Sequence, residues 1–326
     1  MMNIVFAGIR HSHVFCVKQW IDSMPDMRVA GVWENNPELL PAAREYGLVP
    51  TCESYEELLS LPSDIVIMGD CYGRRGEETA AALRMGKHVF SDKPVCTSLD
   101  ALSEIEELTV NNHLSLGALL DLRMTSAALA ARDAVSCGLL GKIHNISFGG
   151  QHPLEYGARP KWYFEKGMHG GTVNDIAIHG IDLVYFITGK RLEKICSVRA
   201  WNAFAKAEPD FKDCANVMAV LSGGTGLLAD VSYSMPYPMS YTPPQCWRFT
   251  MWGEKGILEF DCSNDYAVFY GKECPAPQRL THPPAKSNLF ADFLSEINGS
   301  PAGLTTREVI SASRDCLTLQ SMASEF

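Results

Sequence analysis

Apolar residues in the first 120 positions form short runs, and the stretches between them have helical spacing. Such runs, ending at glycine or a polar residue, are typical of strands buried on both faces. The predicted strands are 3–7, 28–33, 65–68, 88–91 and 114–119. In this prediction 65–68 is counted as the fourth strand of a doubly wound sheet, and 114–119 is therefore counted as the sixth. The predicted helices are 14–24, 38–46, 54–59, 77–85 and 98–110.

Strands that alternate with helices at this pitch pair in parallel through right-handed crossovers. In open sheets of this kind, ligands bind beyond the carboxyl ends of the strands. Four chemically interesting positions fall there: Gly8, Glu34, 69–70 and 92–94, the last with the sequence Asp-Lys-Pro. The first half therefore predicts a nucleotide-binding type of fold.

From about Leu122 the pattern becomes mainly β-like. One helix is predicted at 126–136, and two closing helices are predicted at 288–297 and 307–323. The predicted strands are 143–148, 195–201, 215–221, 226–233, 246–252, 256–260 and 266–270, with hairpin turns at 223–224 and 253–256 and loops at 236–244 and 275–284. We predict an α/β protein with two domains: a nucleotide-binding domain with a doubly wound parallel sheet at 1–121, and an α+β domain with a mostly antiparallel sheet at 122–326.

Composition and charge narrow the function class. The 326 residues match the length of two domains, and a net charge of -10 argues against nucleic acid as a partner. The eleven cysteines contain no C-x-x-C pair, so we expect reduced thiols in a cytoplasmic protein. We expect no membrane partner, because the N-terminus lacks a basic leader and no long apolar run occurs. Cys71 and Cys96, near the predicted crevice, suggest sensitivity to thiol reagents.

The turn after the first strand carries only part of a dinucleotide signature. The pattern G-x-G-x-x-G would start at Gly8 and would need glycines where Arg10 and His13 stand. Arg10 offers a cation to a phosphate instead, and the start of the following helix presents amides and a positive dipole. Glu34 is placed to bind the adenosine ribose and to repel a 2′-phosphate, which favours NAD over NADP. The alternative is a Rossmann-like scaffold that no longer binds dinucleotide.

A helix from Thr172 would place Asp175, His179 and Asp182 on one face. A carboxylate one turn from a histidine orients the ring and raises its basicity. Each position also has a structural explanation: Thr172 and Asp175 match a capping box, Asp182 could be solvated or paired with a cation, and His179 could be a core histidine. Lys93, at the end of a buried strand and before proline, is expected to project its ammonium into the crevice.

With these residues in view, the chain resembles the Gfo/Idh/MocA family, the group of glucose–fructose oxidoreductase and inositol dehydrogenase, along essentially its whole length. The family's E-K-P motif is similar to 92–94, and its A-G-K-H-V pattern is similar to 85–89. The pattern G-G-x-x-x-D-x-x-x-H-x-x-D matches 170–182. The segment 290–293 and the last helix also fit.

The resemblance implies an NAD(P)-dependent dehydrogenase acting on CH–OH groups of a sugar, polyol or related cyclic alcohol, with NADP the less favoured cofactor. It implies that Lys93 stabilises the developing alkoxide, His179 takes the hydroxyl proton, and Asp175 orients the histidine or the substrate. The predicted cofactor-binding residues are Gly8, Arg10, His11, Ser12, Glu34, Asp70, Asp92 and Pro94. The predicted substrate-binding residues are Arg123, His152, Trp162 and Tyr163. The resemblance also implies that 1–121 is a dinucleotide-binding Rossmann-type domain and that 122–326 is a substrate-binding and oligomerisation domain with an open, mostly antiparallel sheet. A homodimer or homotetramer is therefore expected.

The chain departs from the family at Arg10, at His13 and in the segment 71–76, where a Pro-Asn/Thr pair and a histidine would be common. Arg123 stands near the family's arginine after the sixth strand, but its neighbours do not match. Two other functions stay open: a non-catalytic sugar-binding or regulatory protein, and a metal-assisted lyase or hydrolase. The latter would use a group of histidines, namely His11, His13, His152, His169 and His179. No metal ligand is assigned.

Overall fold

The computed structural model describes residues 1–324, which form two compact units. Unit 1 comprises Met1–Leu119, Gly167–Gly170 and Ser287–Arg314, and unit 2 comprises the remaining described residues. The first change of unit falls between Leu119 and Leu120, two residues before the predicted boundary. Residues 287–314 belong to unit 1, although the predicted boundary assigns them to the second domain.

Unit 1 contains a parallel sheet of five strands in the order β2-β1-β3-β4-β5. Its strands are β1 (Met2–Ala7), β2 (Met27–Trp33), β3 (Ile65–Met68), β4 (His88–Ser91) and β5 (Leu116–Ala118). Its helices are α1 (His13–Asp22), α2 (Leu40–Glu45), α3 (Tyr55–Ser60), α4 (Tyr72–Arg84), α5 (Leu99–Asn112), α8 (Leu289–Ile297) and most of α9 (Thr306–Ser321). This is the predicted doubly wound Rossmann-type architecture.

Local sequence signals account for much of this unit. The Ser54 and Ser98 side chains accept hydrogen bonds from the amides of Glu57 and Ala101, so both predicted caps are formed. The central strands β1 and β3 are buried on both faces, as their continuous apolar runs predict.

The predicted number of strands in this sheet was wrong. The chain between β2 and β3 contains short helices and one isolated β-bridge of Cys52 with Trp33 but no strand, so the run at 114–119 contains the fifth strand and not the sixth.

Helix α4 begins at Tyr72 and not at residue 77. Two glycines in its first turns disfavour a helix locally, which explains the late predicted start. Both allow close packing: a Cβ on Gly73 would lie 2.4 Å from the carbonyl oxygen of Gly167, and one on Gly76 would lie 2.9 Å from Ala101 Cβ. Tertiary packing therefore overrides helix propensity in this segment.

Unit 2 contains an eight-stranded sheet in the order β13-β12-β11-β10-β6-β9-β8-β7. All of its pairings are antiparallel except that of β6 with β9. Its strands are β6 (Ile143–Gln151), β7 (Leu192–Trp201), β8 (Cys214–Leu221), β9 (Thr225–Ser232), β10 (Trp247–Gly253), β11 (Gly256–Asp261), β12 (Tyr266–Gly271) and β13 (Gln278–Thr281). Two helices, α6 (Ser126–Ser136) and α7 (Ile178–Thr188), complete the mostly antiparallel α+β unit.

The predicted loop at 275–284 was wrong. The segment contains β13, an edge strand that pairs with β12; its side chains are mainly exposed, so no apolar pattern marked it. The helix predicted at 172–182 is present, but its first turn, Val173–Ala177, is π-helical and leads into α7. The Thr172 hydroxyl donates to the carbonyl of Lys212 and makes no capping hydrogen bond, so the predicted capping box is absent.

Among residues 1–324, no helix is long and apolar enough to cross a bilayer. All eleven cysteines are free thiols. The reducing compartment inferred from them stays a prediction.

Candidate active site

The turn between β1 and α1 depends on Gly8. Its φ is +77°, and a Cβ at this position would lie 2.7 Å from the backbone of Asp70, so only glycine fits. Helix α1 then starts at His13, and Ser12 makes no side-chain capping hydrogen bond. The first turn of α1 contains no acidic residue. These features leave the positive end of a ten-residue helix suited to an anionic group such as a dinucleotide phosphate.

Glu34, at the carboxyl end of the neighbouring strand, organises the same turn. Its buried carboxylate accepts hydrogen bonds from the amides of Ile9, at 2.9 Å, and Asn36, at 2.7 Å. Arg10 forms an ion pair with Glu34 at 2.9 Å, and its Nε lies 3.4 Å from Asp70 Oδ1. The charge of Arg10 is thus balanced by two carboxylates, and its contact with a phosphate stays a prediction.

The carboxylate of Asp92, which follows β4, is buried and makes four polar contacts. It accepts from Arg75 at 3.0 Å and from the Lys93 amide at 2.8 Å. His13 Nδ1 is 2.9 Å from Oδ1, and His11 Nδ1 is 3.2 Å from Oδ2. Burial opposes ionisation, but Arg75 and the two histidines hold the pKa of Asp92 well below its usual range. For His11, burial lowers the pKa despite the opposing charge of Asp92.

Arg75 is a site residue that the sequence analysis missed. Its fully buried guanidinium donates to the carbonyls of Asp70 and Lys93, each at 2.7 Å, and to that of Pro94 at 3.1 Å, besides Asp92. It stands in the segment 71–76 where the chain departs from the family pattern, and an arginine there was the available signal. Arg75 fixes the main chain on both sides of Lys93, whose side chain is buried.

In unit 2, Asp175 lies among tyrosine hydroxyls. Tyr163 donates to Asp175 Oδ2 at 3.0 Å, Tyr233 donates to the same oxygen, and the two hydroxyls are 2.9 Å apart. Burial, reinforced by the Asp175 charge, raises the pKa of Tyr163 well above its usual value, so this phenol stays protonated as a donor. Trp162, the neighbouring predicted substrate residue, packs against the Tyr163 ring at 5.2 Å. Tyr233 was not predicted, because it lies 58 residues from Asp175 in the chain.

His179 shares an aromatic neighbour with His152. The Trp247 ring lies 5.5 Å from each imidazole in an edge-on arrangement, and it was not predicted as a site residue. His179 Nδ1 also lies 3.7 Å from Asp121 Oδ1. The structure thus brings together two predicted residues, the catalytic His179 and the substrate-binding His152, around one indole.

Asp182 forms an ion pair with Arg123. A cation partner for Asp182 was one of two alternatives that the sequence left open. The guanidinium binds the carboxylate through two contacts, Nε to Oδ2 at 2.7 Å and Nη2 to Oδ1 at 2.5 Å. Both side chains are 2% exposed. Arg123 therefore has a structural contact in unit 2, and its predicted role in substrate binding stays a prediction.

Two buried thiols do not support the suggested sensitivity to thiol reagents. Cys71 and Cys96 are 3% and 1% exposed. Burial raises the pKa of each thiol to about 12, so both are neutral and poorly nucleophilic at neutral pH. The exposed thiols are instead Cys16, Cys137 and Cys196.

Two family models match the chain. Residues 2–118 match the oxidoreductase family with an NAD-binding Rossmann fold, and residues 128–259 match the GFO/IDH/MocA C-terminal domain. The two ranges together cover well over half of the sequence. The chain belongs to the Gfo/Idh/MocA family of oxidoreductases, and its first half is an NAD-binding Rossmann domain.

Curated relatives agree with this membership, and a solved structure shares the fold. The chain is 30% identical over 148 residues to the 1,5-anhydro-D-fructose reductase of Ensifer adhaerens, a match covering 44% of each chain. It is 26% identical over 177 residues to the inositol 2-dehydrogenase of Rhizobium meliloti (strain 1021), covering 54% of this chain and 50% of that one. The chain thus matches about half the length of these two relatives. A structure of levoglucosan dehydrogenase with NADH and levoglucosan superposes with a TM-score of 0.80 at 16% identity, over 98% of this chain and 97% of that one.

Proposed function

We propose that this chain is a nicotinamide-dependent dehydrogenase or reductase that acts on a CH–OH group of a sugar, polyol or related cyclic alcohol. The observation that carries the proposal is the anchored Asp-Lys-Pro segment, in which Arg75 and Asp92 hold the main chain of Lys93. The family and the names of the relatives support this reaction class. A bound nicotinamide dinucleotide would supply the hydride acceptor or donor.

The residues of the chain would then handle the proton and the developing charge. In the oxidation direction, His179 takes the hydroxyl proton while the carbon-bound hydrogen leaves as hydride. The Lys93 ammonium stabilises the alkoxide that forms as the proton departs. Asp175, held by two tyrosine hydroxyls, supplies a fixed negative charge that positions the substrate or the histidine. His152, Trp162, Tyr163 and Arg123 are the proposed substrate-binding residues.

We further propose that the cofactor is NAD and not NADP. The Glu34 carboxylate lies at the end of β2, where its charge would repel a 2′-phosphate. Its hydrogen bonds from Ile9 and Asn36 fix the carboxylate in place. The cofactor-binding role extends to the residues around the turn and the Asp-Lys-Pro segment, namely Gly8, Arg10, His11, Ser12, Asp70, Asp92 and Pro94.

Titration of the protein with NADH and NADPH, followed by nucleotide fluorescence, tests this assignment. Wild type is expected to bind NADH more tightly, and Glu34→Gln is expected to reduce the preference by about tenfold, equivalent to about 1.4 kcal/mol. Glutamine removes the charge but keeps only one of the two carboxylate oxygens, so one of the amides of Ile9 and Asn36 loses its acceptor. The ratio of the NADH and NADPH affinities is therefore the quantity to compare. The exposed Glu45→Gln is the matched control and should keep the wild-type preference.

Absence of any dinucleotide binding by wild type would remove the redox proposal and favour a sugar-binding protein without turnover. Equal affinity of wild type for both nucleotides would remove only the assignment to Glu34. A panel of sugars and polyols, added to protein with the preferred nucleotide, then identifies the substrate through the change in nicotinamide absorbance.

We also propose a homodimer or homotetramer, formed through the open face of the eight-stranded sheet. Exposed apolar side chains on this face are Met218, Leu228, Trp252, Ile257 and Tyr270. A groove of about 1230 Å³ on the same face includes Met218 and Leu228 in its lining. Exposed apolar side chains that neighbour one another on one sheet face are typical of an interaction site. Sedimentation velocity should give a mass of at least two chains, and Met218→Lys should lower it; a monomeric wild type contradicts the proposal.

A further inference from the structure

The turn between β1 and α1 carries two histidines whose rings converge on one buried carboxylate. His13 Nδ1 lies 2.9 Å from Asp92 Oδ1, and His11 Nδ1 lies 3.2 Å from Asp92 Oδ2. The ring centroids are 4.2 Å apart, and the ring planes are nearly perpendicular. One donor atom from each of the three residues lies within 4.8 Å of the other two. The proposed function places His11 and Asp92 among the cofactor-binding residues, but it assigns no metal ion to the three residues together.

These distances approach those of a metal centre. Bonds of about 2.0–2.2 Å in tetrahedral geometry place two ligand atoms roughly 3.3–3.5 Å apart. The two nitrogen–oxygen distances, 2.9 and 3.2 Å, are hydrogen-bond distances and are shorter than this, so the imidazoles would have to move slightly away from the carboxylate to admit a common ion. Each Nδ1 would coordinate through its lone pair, and the ring proton would reside on Nε2.

The donor set also selects the kind of ion. Two imidazole nitrogens and one carboxylate oxygen suit zinc and other late first-row divalent ions, whereas magnesium and calcium prefer oxygen ligands throughout. We propose that His11, His13 and Asp92 bind a divalent transition-metal ion of the zinc type, at the start of α1. This inference rests on unit 1 alone and does not depend on the proposed function.

The groups around the three residues are arranged as they are around metal ligands in other proteins. Asp92 is 1% exposed, and its carboxylate is oriented by the Arg75 guanidinium and the Lys93 amide, as outer hydrogen bonds orient metal ligands in proteins. The His11 and His13 side chains are 17% and 35% exposed, so water can complete the coordination from the solvent side. The positive charge of Arg75 opposes a nearby cation, and we therefore expect a weaker site than a four-ligand structural zinc site.

A titration of the full chain with Co²⁺ tests the proposal, since the visible spectrum of this ion reports its ligands. Wild type is expected to bind about one equivalent, which Zn²⁺ displaces, without the near-ultraviolet charge-transfer band of a thiolate ligand. His11→Ala and His13→Ala should each weaken binding at least about tenfold. The matched control His144→Ala removes an exposed histidine of β6 and should bind as wild type does.

Three results would overturn the proposal: no binding of Co²⁺ or Zn²⁺ by wild type, wild-type binding in both histidine variants, or a thiolate band that persists in both. The last would place the ion on exposed cysteines such as Cys16. Thermal unfolding without metal checks that the variants fold. His13→Ala is the more informative variant if His11→Ala fails this check, because its side chain is the more exposed of the two.

Discussion

Lys93→Met is expected to lower kcat by about 10²–10³-fold while the protein still binds dinucleotide. Methionine keeps most of the length of the lysine side chain but removes the ammonium that would stabilise an alkoxide, and loss of one such stabilising group typically costs this much. The main-chain anchors of residue 93 survive the change, because Arg75 binds its carbonyl and Asp92 binds its amide. The expected loss is therefore chemical and not conformational.

Steady-state turnover, on the substrate identified in the panel of sugars and polyols, measures kcat. A titration with NADH measures the affinity for the dinucleotide. Lys272→Met, at an exposed lysine of unit 2, is the matched control and should leave kcat unchanged. His179→Ala should lower kcat by about 10²–10⁴-fold, as expected for loss of a general base. Near-normal turnover in both Lys93→Met and His179→Ala would remove the proposed catalytic assignment.

The effect of Lys93→Met also distinguishes a dehydrogenase from a sugar-binding protein without turnover. In a sugar-binding protein without turnover, Lys93→Met would change only the affinity for the sugar. A dehydrogenase instead shows a large fall in kcat with a smaller change in KM, because the alkoxide charge develops mainly in the transition state.

The fold was readable from the sequence where local signals and tertiary structure agree. The strands β1 and β3 are short apolar runs, and α3 and α5 start at serines that cap them. The hairpin between β8 and β9 turns at Gly223 and Gly224, both with positive φ, as the glycine pair predicts. Such features depend on a few consecutive residues.

The errors lie where distant packing decides the structure. The start of α4 contains two glycines, and helix forms there because neighbouring chain segments pack closely against them. The edge strand β13 has mainly exposed side chains, so no period-two apolar pattern marks it. Its backbone pairs with β12, and the Arg279 guanidinium lies over the Tyr266 ring. Neither feature could be seen in a local pattern.

In the candidate site, too, residues marked by local sequence signals were predicted and residues that act through distant contacts were not. Asp175 and His179 were singled out by their helical spacing and Lys93 by its place before proline at the end of a strand, and the family resemblance implied their catalytic roles. Arg75, Tyr233 and other partners were missed, because each acts on residues far away in the chain: Arg75 binds Asp92 across 17 positions, and Tyr233 binds Asp175 across 58. The pairing of His13 with Asp92 joins positions 79 apart, so the sequence left a metal-assisted function of the histidines open without identifying the carboxylate beside them.

Arg123→Met is expected to lower the free energy of unfolding by about 3–5 kcal/mol, because it would leave the Asp182 carboxylate buried without its bidentate partner. The double variant Arg123→Met/Asp182→Leu should recover most of this loss, since two apolar side chains can replace a buried ion pair at little cost. Urea unfolding followed by circular dichroism measures all three proteins.

The matched control is the ion pair of Arg248 with Glu259, whose side chains are 53% and 26% exposed. Arg248→Met should change the free energy of unfolding by less than about 1 kcal/mol, because exposed pairs are screened by solvent. A stable Arg123→Met protein that has lost only its substrate affinity would contradict the structural role and favour the predicted substrate contact. A large loss of stability that the double variant reverses would instead show that the last aspartate of the D-x-x-x-H-x-x-D pattern is retained here to hold α7 in place through Arg123.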